Sequence, residues 1–394
     1  MFSSRLNWQA HPNALSRLLA ARRVAGQTVA DLTQSNPTQA GFEYRGAGIS
    51  RALADTRSLV YEPAASGMAP ARNGVAGYYA ERGVTVSADD IVLTASTSEA
   101  YSYLFKLLCN PGDEVLAPVP SYPLFEYLAA LECVRAVSYP LAFANGWFID
   151  FDMLLRQVSP RTRAVVIVNP NNPTGSFLKK TEWAQLREIC VENHLAIISD
   201  EVFADFAFAD DPQRQWTVAG SDGPLAFALS GLSKIAGLPQ MKLGWIAAGG
   251  RQDLVRDAVS RLELIADTFL SVSTPVQHAL PALFPVGNSV RRQIRERCAR
   301  NLARLGDTLP RTTGAEVLPV EGGWYATIQV PRVRTEEEWA QVLLERHGVL
   351  VQPGYFYDFP REAYLIVSLL THPEVFDQGL RALAAEVGET RVPM

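Results

Sequence analysis

Four nearly unbroken apolar runs, at residues 164–168, 195–199, 225–229 and 243–248, restrict this chain more than any other feature. Side chains of a strand alternate between faces, so a run with no polar alternation reads as a strand buried on both sides. Helix-like patterns at 100–108, 183–193 and 251–267 fall between or beside them. Shorter strand candidates stand at 91–93 and 113–117. Repeated alternation of this kind predicts an α/β fold: an open, mostly parallel sheet covered by helices. The run at 243–248 follows its predecessor after a short connection, which predicts an antiparallel strand there. Ligands of such sheets bind beyond the carboxyl ends of the strands.

The 394 residues exceed one ordinary core. After about residue 285 the pattern changes to a basic helix at 290–305, short strands, and a last helix at 376–386. The expected division is a large domain over 46–284 and a smaller α+β domain built from 1–45 plus 285–394. Near the N-terminus, Arg5, Arg17, Arg22 and Arg23 precede any acidic residue, a pattern shared with organellar transit peptides. Asn13 as a cap, the stripe Leu15, Leu18 and Leu19, and Gly26 as a stop favour an ordinary first helix.

Lys and Arg number 36 against 41 Asp and Glu, a net charge of −5, which argues against a nucleic-acid partner. Cys109, Cys133, Cys190 and Cys298 form no Cys-x-x-Cys pair and read as reduced thiols of a cytoplasmic protein. The five histidines show no ligand spacing, so no metal is expected. No apolar run reaches membrane-spanning length. No Gly-x-Gly-x-x-Gly follows an early strand, which disfavours a dinucleotide enzyme.

Four clusters sit where strands are expected to end. Ser96, Thr97 and Ser98 lie between a strand and a helix, where free N–H groups and hydroxyls suit a phosphate. Alone, this is also what a plain helix cap looks like. Asn169-Pro170-Asn171-Asn172-Pro173-Thr174-Gly175 forms a rigid turn that can aim an amide inward, with Asn172–Pro173 a candidate cis peptide. Asp200 ends an apolar strand, where a carboxylate is costly unless paired. A protonated pyridine nitrogen would be a suitable partner. Lys234, in Ser230-Gly231-Leu232-Ser233-Lys234, is flanked by small residues and suits a Schiff base with pyridoxal 5'-phosphate (PLP). Lys242 would add a positive charge beside the phosphate.

In that order, these motifs resemble a class I/II aminotransferase, a PLP-dependent fold-type-I enzyme like aspartate aminotransferase, over nearly the whole chain from Asn36-Pro37-Thr38 onward. The resemblance implies that Lys234 forms the internal aldimine and shuttles the alpha proton. It implies that Asp200 pairs with the pyridine nitrogen, Asn172 binds the ring 3-hydroxyl, and Ser96, Thr97, Ser98 and Ser233 lie about the phosphate. It matches Tyr122 to the aromatic residue stacked on the ring. It matches Tyr61 to the tyrosine that reaches a neighbouring subunit's phosphate, which implies a homodimer. The small domain is expected to close over an amino donor and a 2-oxo acid acceptor.

Three positions depart from the family. Phe203 replaces a tyrosine that would hydrogen-bond the ring 3-hydroxyl. Lys242 replaces a phosphate-binding arginine and lacks its fork. Ile366 stands where the family places the arginine that clamps the substrate carboxylate, and Arg361 is five residues upstream. Either Arg22, Arg45 or backbone N–H groups hold that carboxylate, or the substrate lacks a conventional one. Gly322-Gly323-Trp324-Tyr325 is expected to line the small-domain side of the pocket or simply to start a strand. Two rivals share the scaffold: a carbon–sulfur beta-lyase, which needs no acceptor, and a non-catalytic PLP-binding regulatory module.

Overall fold

The computed structural model describes residues 2–6, 12–44, 48–309 and 314–389. Fourteen strands follow in chain order among them: β1 Ala30–Asp31, β2 Ile91–Thr94, β3 Glu114–Val119, β4 Arg135–Phe143, β5 Trp147–Ile149, β6 Thr162–Val168, β7 Ala196–Asp200, β8 Ala226–Gly231, β9 Gly244–Gly249, β10 Glu316–Val317, β11 Tyr325–Gln329, β12 Val349–Leu350, β13 Gln352–Pro353 and β14 Tyr364–Ser368. Eight form one sheet in the order β2-β9-β8-β7-β6-β3-β4-β5. The block β8-β7-β6-β3-β4 is parallel. β9 runs antiparallel to both neighbours, as its short connection predicts.

Alternation along the buried strands feeds two apolar layers. Val166, Ile198, Phe227, Leu229 and Ile246 face helices Thr97–Leu108 and Gln252–Asp267. Val165, Ile167, Ile197 and Ala228 face the opposite way, toward helices Ala69–Ala80 and Lys180–Glu192. Each fully buried Phe, Leu or Ile contributes roughly 1.5–3 kcal/mol relative to exposure.

A second sheet, β10-β11-β14-β13, is covered by helices Glu336–His347 and Pro373–Glu389 through Trp339, Leu343, Phe376 and Leu380. The N-terminal segment joins it. Leu32 accepts from Ser368 N at 2.7 Å, and β1 pairs with β12. Helix Ala14–Val24 is capped by Asn13, whose side chain accepts from Ser16 N. The expected basic helix at 290–305 proves to be the second half of one 35-residue helix, Thr274–Thr308, with Pro281 and Pro285 inside it. The boundary expected at 284/285 therefore falls within a helix and not in a loop.

Candidate active site

Parallel pairing brings the ends of β2, β6, β7 and β8, and the start of β9, to one edge of the large sheet. A cavity of about 320 Å³ opens there. Ser96, Thr97, Ser98, Tyr122, Asn172, Asp200, Ser233, Lys234 and Lys242 all line it. Its wall also includes Ser35, Phe203, Gly231, Gly244 and Tyr325. Tyr61 does not line it. That residue is 71% exposed and borders a separate small cavity with Glu62, Gly67 and Gln277.

At one end of the cavity, Ser96 caps helix Thr97–Leu108, its hydroxyl accepting from Glu99 N at 3.2 Å. Glu99 turns back to Ala95 N at 2.6 Å. The first N–H groups of a helix have no acceptor within it. With the hydroxyls of Thr97 and Ser98 and the ammonium of Lys242, they make a donor-rich cup for a doubly charged anion. Lys242 reaches its place from a left-handed backbone, φ +48°.

At the other end stands Asp200, buried at the end of β7. Its Oδ1 accepts from Val202 N at 3.2 Å, and its Oδ2 accepts from the Tyr101 hydroxyl at 3.3 Å. Burial raises its pKa to about 6, against the opposing pull of those two donors and of the Lys234 charge. Next to it, Glu201 turns away and is held by Ser199 Oγ, Thr217 Oγ1 and Val218 N. Its carboxylate belongs to the fold.

Lys234 sits in a single turn, Leu232–Ile235, directly after β8. Its Nζ is 5.0 Å from the Trp324 ring centroid and 5.8 Å from that of Phe203. Desolvation among these rings lowers its pKa, and the charge of Asp200 opposes the shift. Close approach here requires Gly231 and Gly244. A Cβ on Gly231 would lie 2.8 Å from Gly244 Cα.

Asn172 follows β6 in a turn whose Asn169–Pro170 and Asn172–Pro173 bonds are both cis. Its Oδ1 is buried without a hydrogen-bond partner. A buried amide left unpaired costs about 1–3 kcal/mol, so this atom fits a ligand that completes it. Anion cup, orphaned amide, buried carboxylate and desolvated lysine thus match, group by group, a phosphorylated pyridine aldehyde. The donor set fits PLP.

The structure adds residues that the sequence reading missed. Tyr101 lies one helical turn beyond Thr97, on the same face of the helix, so spacing alone held a signal. Ser35 gave none, since it belongs to the distant N-terminal segment. Tyr325 enters from β11, where strand parity places Thr327, Ile366 and Ser368 on its face. Ile366 is fully buried and does not line the cavity. Of the arginines expected as substitutes, Arg22 donates to the Glu345 carbonyl at 2.9 Å; Arg361, upstream of Ile366, is exposed. Arg45 lies outside the described residues. Among the described residues lining the cavity, Lys234 and Lys242 are the cations.

A two-part α/β molecule with a lysine, an aspartate and an anion cup at the carboxyl edge of its main sheet has the architecture of a fold-type-I PLP protein. The sequence model of the family "Aminotransferase class I and II" matches residues 33–383, and the chain belongs to that family. Pyridoxal phosphate is the family's cofactor. The chain is 30% identical over 256 residues to the glutamate-pyruvate aminotransferase AlaA of Escherichia coli K12, covering 65% of this chain and 63% of that protein. The match thus spans less than two thirds of that relative's length. Human tyrosine aminotransferase is 25% identical over 366 residues, 89% of this chain and 78% of that one. The alanine aminotransferase of Pyrococcus furiosus shares the fold, with a TM-score of 0.87 over 99% of this chain and 100% of that one at 22% identity.

Proposed function

We propose that this protein is a PLP-dependent aminotransferase that moves an amino group from an amino acid or amine donor to a 2-oxo acid in two half-reactions. The observation that carries the reading is the shared cavity of Lys234, Asp200, Asn172 and the Ser96–Thr97–Ser98 turn. When bound, PLP supplies an electron sink for negative charge developing at the substrate's alpha carbon. Lys234 would hold the cofactor covalently through Nζ. Its amine would also take the alpha proton and return it, and its lowered pKa keeps a neutral fraction available for this. Asp200 would keep the pyridine nitrogen protonated. The free Oδ1 of Asn172 would accept from the ring 3-hydroxyl without help from Phe203. Tyr122 would cover one ring face, and Lys242, Ser233 and the helix start would hold the phosphate. Two domains, 46–284 and 1–45 plus 285–394, would close over donor and acceptor.

The chain would work as a homodimer in the cytoplasm, without nucleic acid or membrane. Leu59 and Tyr61 are 86% and 71% exposed, and Phe269 is 52% exposed, an apolar surface that a second copy would cover. All four cysteines are free, as a reducing compartment allows. No described helix is long and apolar enough to cross a membrane. The relatives named above are aminotransferases, which does not favour the beta-lyase alternative.

Single amino donors should be tested with the PLP-loaded protein, with and without a 2-oxo acid. Turnover that requires the acceptor is expected. Ammonia release without an acceptor would mean a lyase, and a borohydride-reducible adduct that persists in Lys234→Ala would remove the central assignment.

A further inference from the structure

We propose that Tyr101 is a positioning residue that fixes the Asp200 carboxylate for the cofactor's ring nitrogen, so that one helix sets both ends of the cofactor site. The inference rests on the PLP reading above. Helix Thr97–Leu108 starts at the anion cup, and Tyr101 stands one turn further along the same face. Its ring is locked, edge-on to Phe125 at 5.3 Å and tilted against Phe105 at 5.9 Å. The hydroxyl ends 3.3 Å from Asp200 Oδ2 in a buried contact. Val202 N holds Oδ1 from the strand side. Two donors, one on each oxygen, leave the carboxylate a single orientation toward the cavity. Because the helix carrying the cup also carries this hydroxyl, the phosphate end and the ring-nitrogen end share one rigid element.

Ionisation of Asp200 is part of the same arrangement. The groups facing it are the Tyr101 hydroxyl from the helix, Lys234 from the turn after β8, Tyr122 from the loop after β3, and Glu201 next to it in sequence. Burial, followed by the Asp200 charge, lifts the Tyr101 pKa well above its ordinary value. Tyr101 thus stays a donor across the working pH range. A donated hydrogen bond favours the charged carboxylate, so removing it raises the pKa of Asp200. The ring nitrogen needs that carboxylate ionised. Cofactor affinity is therefore full above the Asp200 pKa and falls as pH drops through it.

The test uses Tyr101→Phe, which keeps the packed ring and removes only the hydroxyl. Pyridoxamine phosphate is the probe, because it cannot condense with Lys234. Its dissociation constant is measured on the cofactor-free protein from pH 5 to 9. The low-pH limb of affinity, near pH 6 in the wild type, should move up by about one pH unit in Tyr101→Phe, with roughly tenfold weaker binding near pH 6 and little change at pH 9. In Asp200→Asn the added substitution should have no further effect on the limb. An unshifted limb in Tyr101→Phe overturns the proposal. So does an equal effect of Tyr101→Phe in the Asp200→Asn background, since the hydroxyl would then act elsewhere. Failure of the cofactor reading shows itself separately, as a wild-type protein that binds neither PLP nor pyridoxamine phosphate at any pH.

Discussion

Replacing Gly231 with alanine probes how closely the lysine turn must approach the rest of the site. The new methyl would sit 2.8 Å from Gly244 Cα and 2.9 Å from the Leu243 carbonyl oxygen. That is roughly 1 Å inside the ~3.5–4.0 Å optimum for carbon contacts. Both neighbours are backbone atoms and cannot rotate aside, so β8 and β9 must separate at their last pair, Gly231 opposite Gly244. Overpacking of this kind costs about 1–3 kcal/mol. At roughly 2.1 cal/mol/K of unfolding entropy per residue, 394 residues give about 0.8 kcal/mol/K, so the melting temperature should fall by ~1–4 °C. The larger effect should be on PLP affinity. Lys234 lies three residues on and would shift relative to Asp200 and the Ser96 turn, weakening binding by at least about tenfold. Gly77→Ala is the control. It is exposed in helix Ala69–Ala80 with nothing within 4 Å of the added atom, and should stabilise by about 0.5–1 kcal/mol with PLP affinity unchanged. Thermal melts and absorbance titrations with PLP read both quantities. A Gly231→Ala protein that melts and binds PLP like the wild type would refute the close-approach argument.

Other expectations can be checked the same way. Asp200→Asn should stabilise the cofactor-free protein at pH 8 by about 3 kcal/mol relative to pH 4, in urea melts. The wild-type carboxyl, raised from 3.8 to about 6, contributes stability below pH 4 that is lost as pH rises through 6, and asparagine has no such loss. A gain independent of pH would contradict this. Ile366→Arg introduces a guanidinium on the strand face shared with Tyr325 and should raise kcat/KM for carboxylate-bearing donors over the matching amines by at least about tenfold; an unchanged preference would mean that another position faces the substrate. The proposed dimer should shift toward monomer in analytical ultracentrifugation on Leu59→Asp together with Tyr61→Asp; a wild type that sediments as a monomer, or a double variant that dimerises unchanged, would refute that interface.

The main sheet was readable wherever burial is two-sided. β6, β7, β8 and β9 are buried at almost every position, and their apolar stretches announced that burial. β4 escaped notice because it lies near the sheet's edge and keeps exposed and half-exposed positions among its nine residues. The long helix was read only in part, because Pro281 and Pro285 look like breaks from sequence. Of the site, the residues at strand ends were legible because order along the chain maps onto position along one edge. Ser35 and Tyr325 were not tied to that edge, since one arrives from the N-terminal segment and the other from the second sheet by tertiary packing. Tyr101 required knowing which face of a helix meets Asp200.

The helix Thr274–Thr308 has a practical consequence for anyone who would take the molecule apart. At 1.5 Å per residue it is about 52 Å long. Its first half packs on the helix Ala69–Ala80 beneath the main sheet and its second half on the C-terminal helix Pro373–Glu389. Tyr44 donates to the Gly237 carbonyl at 2.7 Å, and Val290 and Ile294 of the long helix lie close beside Gly237 as well. A gene cut at residue 284 would therefore sever a hydrogen-bonded rod and strip apolar cover from the lysine turn in the same stroke. The two parts share one continuous beam, so any closing movement between them must be taken up along it, and they should be expressed, evolved and engineered as a single piece.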